Sequence, residues 1–219
     1  MTRVCGALAI GLALTVMSSS AWTQAAVDGL ELAAELARHG VAGGAVVPAS
    51  DFSGWVPPRA VPSAEEKEAF RDGLPAVAEA FAEARSEYSV TLMDSVVHVR
   101  SAREPAAVQV VLDGIAVVPD VESISVRDAL YKLVLGAMTG QEPTGGIVGT
   151  GRQPVEACSL DRLIRVSGGS MSPARLLDQI VGQLSGVVWV VTYDEERPNN
   201  DLKVGFICRG GARTTLTVF

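Results

Sequence analysis

Histidine, cysteine and aromatic residues are all scarce in this 219-residue chain. Two His and three Cys exclude a metal-rich minidomain, and neither His-Glu-x-x-His nor Cys-x-x-Cys occurs. With only His39 and His98 available, a zinc site with three protein ligands or a serine–histidine hydrolase has few parts to draw on. Aromatics make up 5% and the formal charge is −7, so the chain has neither a basic footprint for phosphate backbones nor a rich set of stacking platforms for bases. Nucleic-acid binding is not expected. What is abundant is apolar: 48% hydrophobic residues argue against disorder, and 22 Gly without a three-residue period argue against collagen. The glycine-rich runs Ser167-Gly-Gly-Ser170 and Gly145 to Gly151 read as loops, because the first lacks the nucleophile-elbow pattern and the second has no Lys-Ser/Thr.

Arg3, the apolar stretch Val4 to Val16 and the small polar exit Ser18 to Ala26 read as a cleavable secretory signal ending at Ala25. The serines at 18–20 end the stretch short of the roughly 20 apolar residues of a membrane span. Export implies a periplasmic or secreted protein.

Downstream, Asp28 with Glu31 opens a helix that stops at His39-Gly40, where the histidine is expected as a cation against the helix dipole. Val41 to Val47 is apolar with two glycines, and Ala49 to Ser63, with Trp55 and three prolines, reads as a surface loop. Ser63 with Glu66 starts a second helical segment, where Phe70, Leu74, Val77 and Phe81 share a face and Pro75 forces a break. Ser89 to Arg100 predicts a hairpin about Asp94-Ser95, with Val97 and Val99 on one side and Val96, His98 and Arg100 on the other. Val108, Val110 and Leu112 alternate before Asp113-Gly114, which predicts a second hairpin into Ile115 to Val118. Ser125 caps a helix with the stripe Val126, Ala129, Leu130, Leu133, Val134 and Ala137. Ser172-Pro173 caps another with Leu176, Leu177, Ile180, Val181 and Leu184. Leu160 to Val166 is a strand candidate, Val187 to Tyr193 a strand buried on both faces, and Leu202 to Cys208 begins a terminal hairpin.

Aligning Ser125 with Ser172 superposes Leu130 on Leu177, Leu133 on Ile180 and Val134 on Val181. The expectation is an α+β fold, amphipathic helices on small, mostly antiparallel sheets, arranged as two similar lobes. The parts are a signal over 1–25, an N-terminal lobe over 26–138, a Gly/Pro-rich linker over 139–154 and a C-terminal lobe over 155–219. Ser123-Ile-Ser-Val-Arg-Asp-Ala-Leu-Tyr-Lys-Leu-Val, and Ala174-Arg-Leu-Leu-Asp-Gln-Ile-Val running through Gly186 to Val187-Val-Trp-Val-Val-Thr-Tyr, resemble the helix-then-aromatic-strand pattern of secretin and TonB short N-terminal domains. The resemblance implies a small periplasmic module working by contact with other envelope proteins, with no catalytic residues and no cofactor.

Removal of Cys5 with the signal would leave an even pair in an oxidising compartment, which predicts a disulfide between Cys158 and Cys208. Cys208 shares the Leu202, Val204 and Phe206 face, and Cys158 precedes the neighbouring strand candidate. Asp194 to Asp201 is an acidic loop whose spacing is not that of an EF-hand, so it reads as a solvated hairpin loop with calcium as the alternative. The functional expectation is an exported, non-enzymatic interaction or binding module. The alternative is a secreted hydrolase drawing on Asp194, Glu195, His98 or Ser170.

Overall fold

Asp28 caps the first helix as its spacing predicts: its carboxylate accepts the Glu31 amide at 2.8 Å and α1 runs Gly29–Arg38. The computed structural model describes residues 28–51, 60–93, 95–140, 158–197 and 202–209, and the backbone of 213–217. The signal over 1–25 lies outside them, as do 52–59 of the proline-rich loop, 141–154 of the linker with the first three residues of the C-terminal lobe, and 198–201 of the acidic loop.

The stretch after α1 becomes β1, Gly43–Pro48, the buried centre of the molecule. Its glycines serve close approach, because a Cβ on Gly44 would lie 2.0 Å from the Trp189 ring. Ser63 and Glu66 form the expected reciprocal cap on α2, Ala64–Asp72, and α3 follows at Leu74–Ala84 with Pro75 in its first turn. Phe70, Leu74, Val77 and Phe81 are buried on one side, as their spacing requires. The hairpin β2, Tyr88–Met93, and β3, Val96–Ser101, pairs Met93 with Val96 as expected, and Val97 and Val99 join the core formed by α1 to α3.

The second predicted hairpin is wrong in its first arm. Ala106–Asp113 is a helix, α4, and not a strand. Val108 and Leu112 are four residues apart as well as evenly numbered, so either period buries them. Pro105 and the two alanines after it favour the helix, and Val110, between them, is 72% exposed. Gly114 stops α4, and β4 follows at Ala116–Val118 and β5 at Val121–Ser125. Ser125 caps α5, which runs as an α turn over Val126–Asp128, a π segment over Ala129–Val134 and a final α turn over Leu135–Thr139. β6, Leu163–Val166, pairs with β5, and β7, Gly169–Met171, with β4. Ser172 caps α6, Pro173–Gly182, and β8, Val187–Tyr193, β9, Lys203–Cys208, and β10, Arg213–Thr217, complete the chain.

The main sheet has the order β10-β9-β8-β1-β3-β2. β1 runs parallel to both neighbours, and the five other pairings are antiparallel, so the fold is α+β with mostly antiparallel pairing. Helices α1 to α3 cover one face and α4 to α6 the other. The two helices whose stripes align, α5 and α6, pack over the same face of this sheet. Cys158 and Cys208 are both buried there, with Cα atoms 5.2 Å apart and sulfurs at disulfide distance.

Candidate functional site

The connections leaving β1 and β3 diverge. The chain after β1 goes to α2 and α3 on one face, and the chain after β3 goes to α4 on the other. Adjacent parallel strands whose followers part in this way open a crevice beyond their carboxyl ends, where open α/β sheets receive ligands. Here the crevice gathers Ala49–Asp51 after β1, 102–105 after β3, and Asp194 and Glu195 after β8.

Arg103 bridges it. Its guanidinium lies 3.2 Å from both Asp51 oxygens and 3.1 Å from Glu195, while Ser50 donates to Glu195 at 3.4 Å. Tyr88, which β2 places opposite Ser101, donates a short hydrogen bond to the same Asp51. Burial, reinforced by the Asp51 carboxylate, pushes the Tyr88 hydroxyl well above its ordinary value. Burial likewise raises Asp28, with the charges of Glu31 and Asp51 adding to it. Behind this layer sit Glu104, its side chain 2% exposed, and Tyr193, fully buried. Glu104 Oε1 and the neighbouring Arg100 Nε make no hydrogen bond among the described residues, while the Tyr193 hydroxyl meets the Ser101 side chain. Arg100 Nε is ion-paired with Glu104 Oε2 at 3.8 Å, while its terminal nitrogens make a two-pronged pair with Asp113 at 2.7 Å. Burial raises Glu104, partly offset by Arg100. Burial also raises Tyr193, partly offset by its hydrogen bond with Ser101, with the charges of Glu104 and Glu195 adding to the rise. Perturbed acids in one crevice mark a functional candidate on physical grounds.

The residues of the hydrolase alternative are dispersed. His98 and Trp189 flank Gly44 in register, and His98 Nε2 meets both Asp178 oxygens at 3.0 and 3.1 Å while Trp189 Nε1 donates to Asp178 at 2.8 Å. The His98 ring is thereby a hydrogen-bonded strand residue, with the rim of Trp189 against it at 5.5 Å. Ser170 lies on β7 opposite Val117, and Asp194 accepts the Glu196 amide in a turn. Of the four, Asp194 and Glu195 stand at the crevice, and Glu195 alone pairs with Arg103. His39 departs from expectation: it is fully buried, stacked on Phe70 at 4.0 Å with Nδ1 against the Glu35 carbonyl at 2.9 Å, and burial lowers its pKa, so it caps α1 as a neutral ring. Among the described residues no cluster of three His, Cys, Asp or Glu could hold a metal ion.

No family model, curated protein or solved structure matches this chain. The site is therefore assigned on its geometry.

Asp51, Tyr88, Arg103, Glu104 and Tyr193 went unnoticed in the sequence. Their one linear signal is repeated: an apolar strand hands over to a short polar run, Ser50-Asp51 after Val46-Val47 and Ser101-Ala-Arg-Glu-Pro105 after Val99-Arg100. A second surface lies on the far side of α5, an open groove of about 830 Å³ lined by Ile115, Val117, Tyr131, Lys132 and Gly136. Ile115 and Val117 stand 73% and 85% exposed at its rim, and no described helix is long and apolar enough to cross a membrane.

Proposed function

We propose that the protein is an exported, non-enzymatic binding module of the bacterial cell envelope that holds its partner at the carboxyl ends of β1, β3 and β8. One observation carries this reading: Glu104 Oε1, on the connection that leaves β3, is buried and stands without a hydrogen-bond partner among the described residues. An unsatisfied buried polar atom costs about 1–3 kcal/mol, and a water, an ion or a bound partner that satisfies it removes that cost. Chemistry on a substrate would need a nucleophile beside a free base, whereas the His98 imidazole and the Asp178 carboxylate are engaged with each other and with Trp189. The resemblance of 123–134 and 174–193 to secretin and TonB short N-terminal domains supports a partner in the envelope. The apolar start of the chain and the paired Cys158 and Cys208 support export.

Two measurements test the reading. Residues 1–25 fused to a phosphatase that is active only outside the cytoplasm should yield activity, and a silent fusion refutes export. Incubation of the purified protein with an envelope extract should raise its melting temperature, and Glu195→Gln with Tyr193→Phe should abolish the rise. An equal rise in that double variant places binding elsewhere.

A further inference from the structure

Independently of the crevice, we infer that an extended segment of a partner protein, apolar at alternate positions and flanked by Lys or Arg, adds as a strand to the free edge of β4, in the groove between that strand and α5. β4 and β5 pair with β7 and β6 as one bent ribbon, and the two edges of the ribbon differ. On the outer edge of β6 the backbone is partnered by α6. Gln183 bonds both the amide and the carbonyl of Arg165, at 3.0 and 2.7 Å, and Gln179 bonds those of Ser167, at 3.1 and 3.3 Å. β4 has no such cover. Its one strand partner among the described residues is β7, and residues 115–118 make no other backbone hydrogen bond there. The groove runs along this edge, since Ile115 to Pro119 all line it and alternate side chains of a strand leave by opposite faces. A row of unpaired N–H and C=O groups is what an added strand recognises.

The side chains define the rest of the occupant's chemistry. Ile115 and Val117 stand exposed two residues apart, so a strand that is apolar at alternate positions covers both. On the other wall, Tyr131 belongs to the π segment of α5, a distortion frequent at functional sites. Its hydroxyl is shut off from water without a hydrogen-bond partner among the described residues, and a peptide backbone offers it both donors and acceptors. Carboxylates dominate the rim: Asp113 before β4, Asp120 and Glu122 after it, and Asp128 on α5. The cations there are already paired, Lys132 with Asp128 at 3.9 Å and Arg100 with Asp113 at 2.7 Å. Lys or Arg flanks answer that excess. A second copy of this chain does not, because antiparallel pairing of β4 with itself about Ala116 and Val117 brings Asp113 of one copy to Asp120 of the other, and like charges opposed across strands destabilise the pair.

Fluorescence anisotropy on the full chain tests the assignment, with the labelled peptide Lys-Val-Thr-Val-Thr-Val-Lys as probe. The peptide should bind, and its Glu-flanked counterpart should bind about tenfold more weakly. Methylating the peptide amides at every second residue should abolish binding in one of the two possible series and spare the other, because the N–H groups of a strand face a given neighbour alternately. Val117→Glu should weaken binding about tenfold despite its added opposite charge, with unchanged circular dichroism because that side chain stands in solvent. Tyr131→Phe should weaken it about threefold. Leu92→Glu, on the exposed edge strand β2 of the main sheet, should leave it unchanged. The inference falls if the peptide does not bind at about 1 mM, if both methylated series bind, if the Glu-flanked peptide binds as tightly, or if Leu92→Glu weakens binding as much as Val117→Glu. Concentration-dependent dimers that Val117→Glu abolishes would give the edge to a second copy. Peptide binding that emerges only after the chain is cut between Gly145 and Gly146 would give the groove to this chain's own segment. Either result overturns the assignment to a partner.

Discussion

An added Cβ at Gly44 has nowhere to go, because the Trp189 indole lies across that strand position to reach Asp178, with the His98 ring beyond it. Gly44→Ala should therefore lower stability by about 3 kcal/mol, as forced overpacking does, and red-shift the buried tryptophan fluorescence. An unchanged denaturation midpoint would show that the ring is not seated there. His39 gives the protein its acid limb. Its pKa is lowered by burial below the ordinary 6.5, so folding favours the neutral ring, and the stability it contributes is full above pH 6.5 and lost as pH falls through the native value. His39→Phe, which keeps the stack on Phe70, should flatten the decline in melting temperature below pH 6.5. A decline as steep as the wild type's would assign the acid limb to other groups. Glu104 works with the opposite sign. Its raised pKa means that folding favours the protonated acid, so its contribution is full below the ordinary 4.5 and lost as pH rises through the native value. Glu104→Gln should therefore remove a fall in stability on the alkaline side of 4.5, and a melting profile identical to the wild type's would refute it.

At the scale of elements, α4 separates what periodicity can and cannot decide. Val108, Val110 and Leu112 satisfy a strand's alternation, while Val108 and Leu112 alone satisfy a helix's fourth-residue spacing. Three branched side chains do not choose between them. The sheet does: β1 is hydrogen-bonded on its two sides to β3 and β8, and β3 in turn to β2, so α4 covers the sheet as a helix and lets Val110 face water. Val110→Ala should be neutral or stabilise by up to about 0.5 kcal/mol, since alanine is the better helix former, whereas Leu112→Ala should cost about 2–5 kcal/mol. Equal losses at both positions would argue for a strand. Elsewhere the caps were legible, because Asp28, Ser63, Ser125 and Ser172 each bond an amide three residues on and need nothing distant to do so. β1 was not, because its glycines mark the approach of Trp189 from 145 positions away in the chain, which no local pattern encodes.

At the scale of the molecule, β1 hydrogen-bonds to β8, so segments on the two sides of 139–154 are built into one sheet. Cutting the chain at a protease site introduced between Gly145 and Gly146 should leave fragments that co-elute and melt together, and fragments that separate would restore two independent lobes. The Cys158–Cys208 link spans 50 residues, and in the chain-entropy model its loss should cost about 4 kcal/mol. Cys208→Ser should lower the urea midpoint accordingly and make it insensitive to reductant. A midpoint unmoved by either change would mean that the thiols contribute only as buried apolar groups. The sequence by itself determined the helices with their caps and stripes, the buried run of β8, the β2–β3 hairpin and the cysteine partnership. These rest on spacing within a few residues or, for the cysteines, on pairing the two that remain after the first. Only the tertiary structure decided that α4 is a helix, that His39 is a buried ring, and that Asp51, Tyr88, Arg103 and Glu195 meet at the strand ends. Those outcomes depend on which strands lie side by side and on how much water they exclude, and both are properties of the assembled sheet.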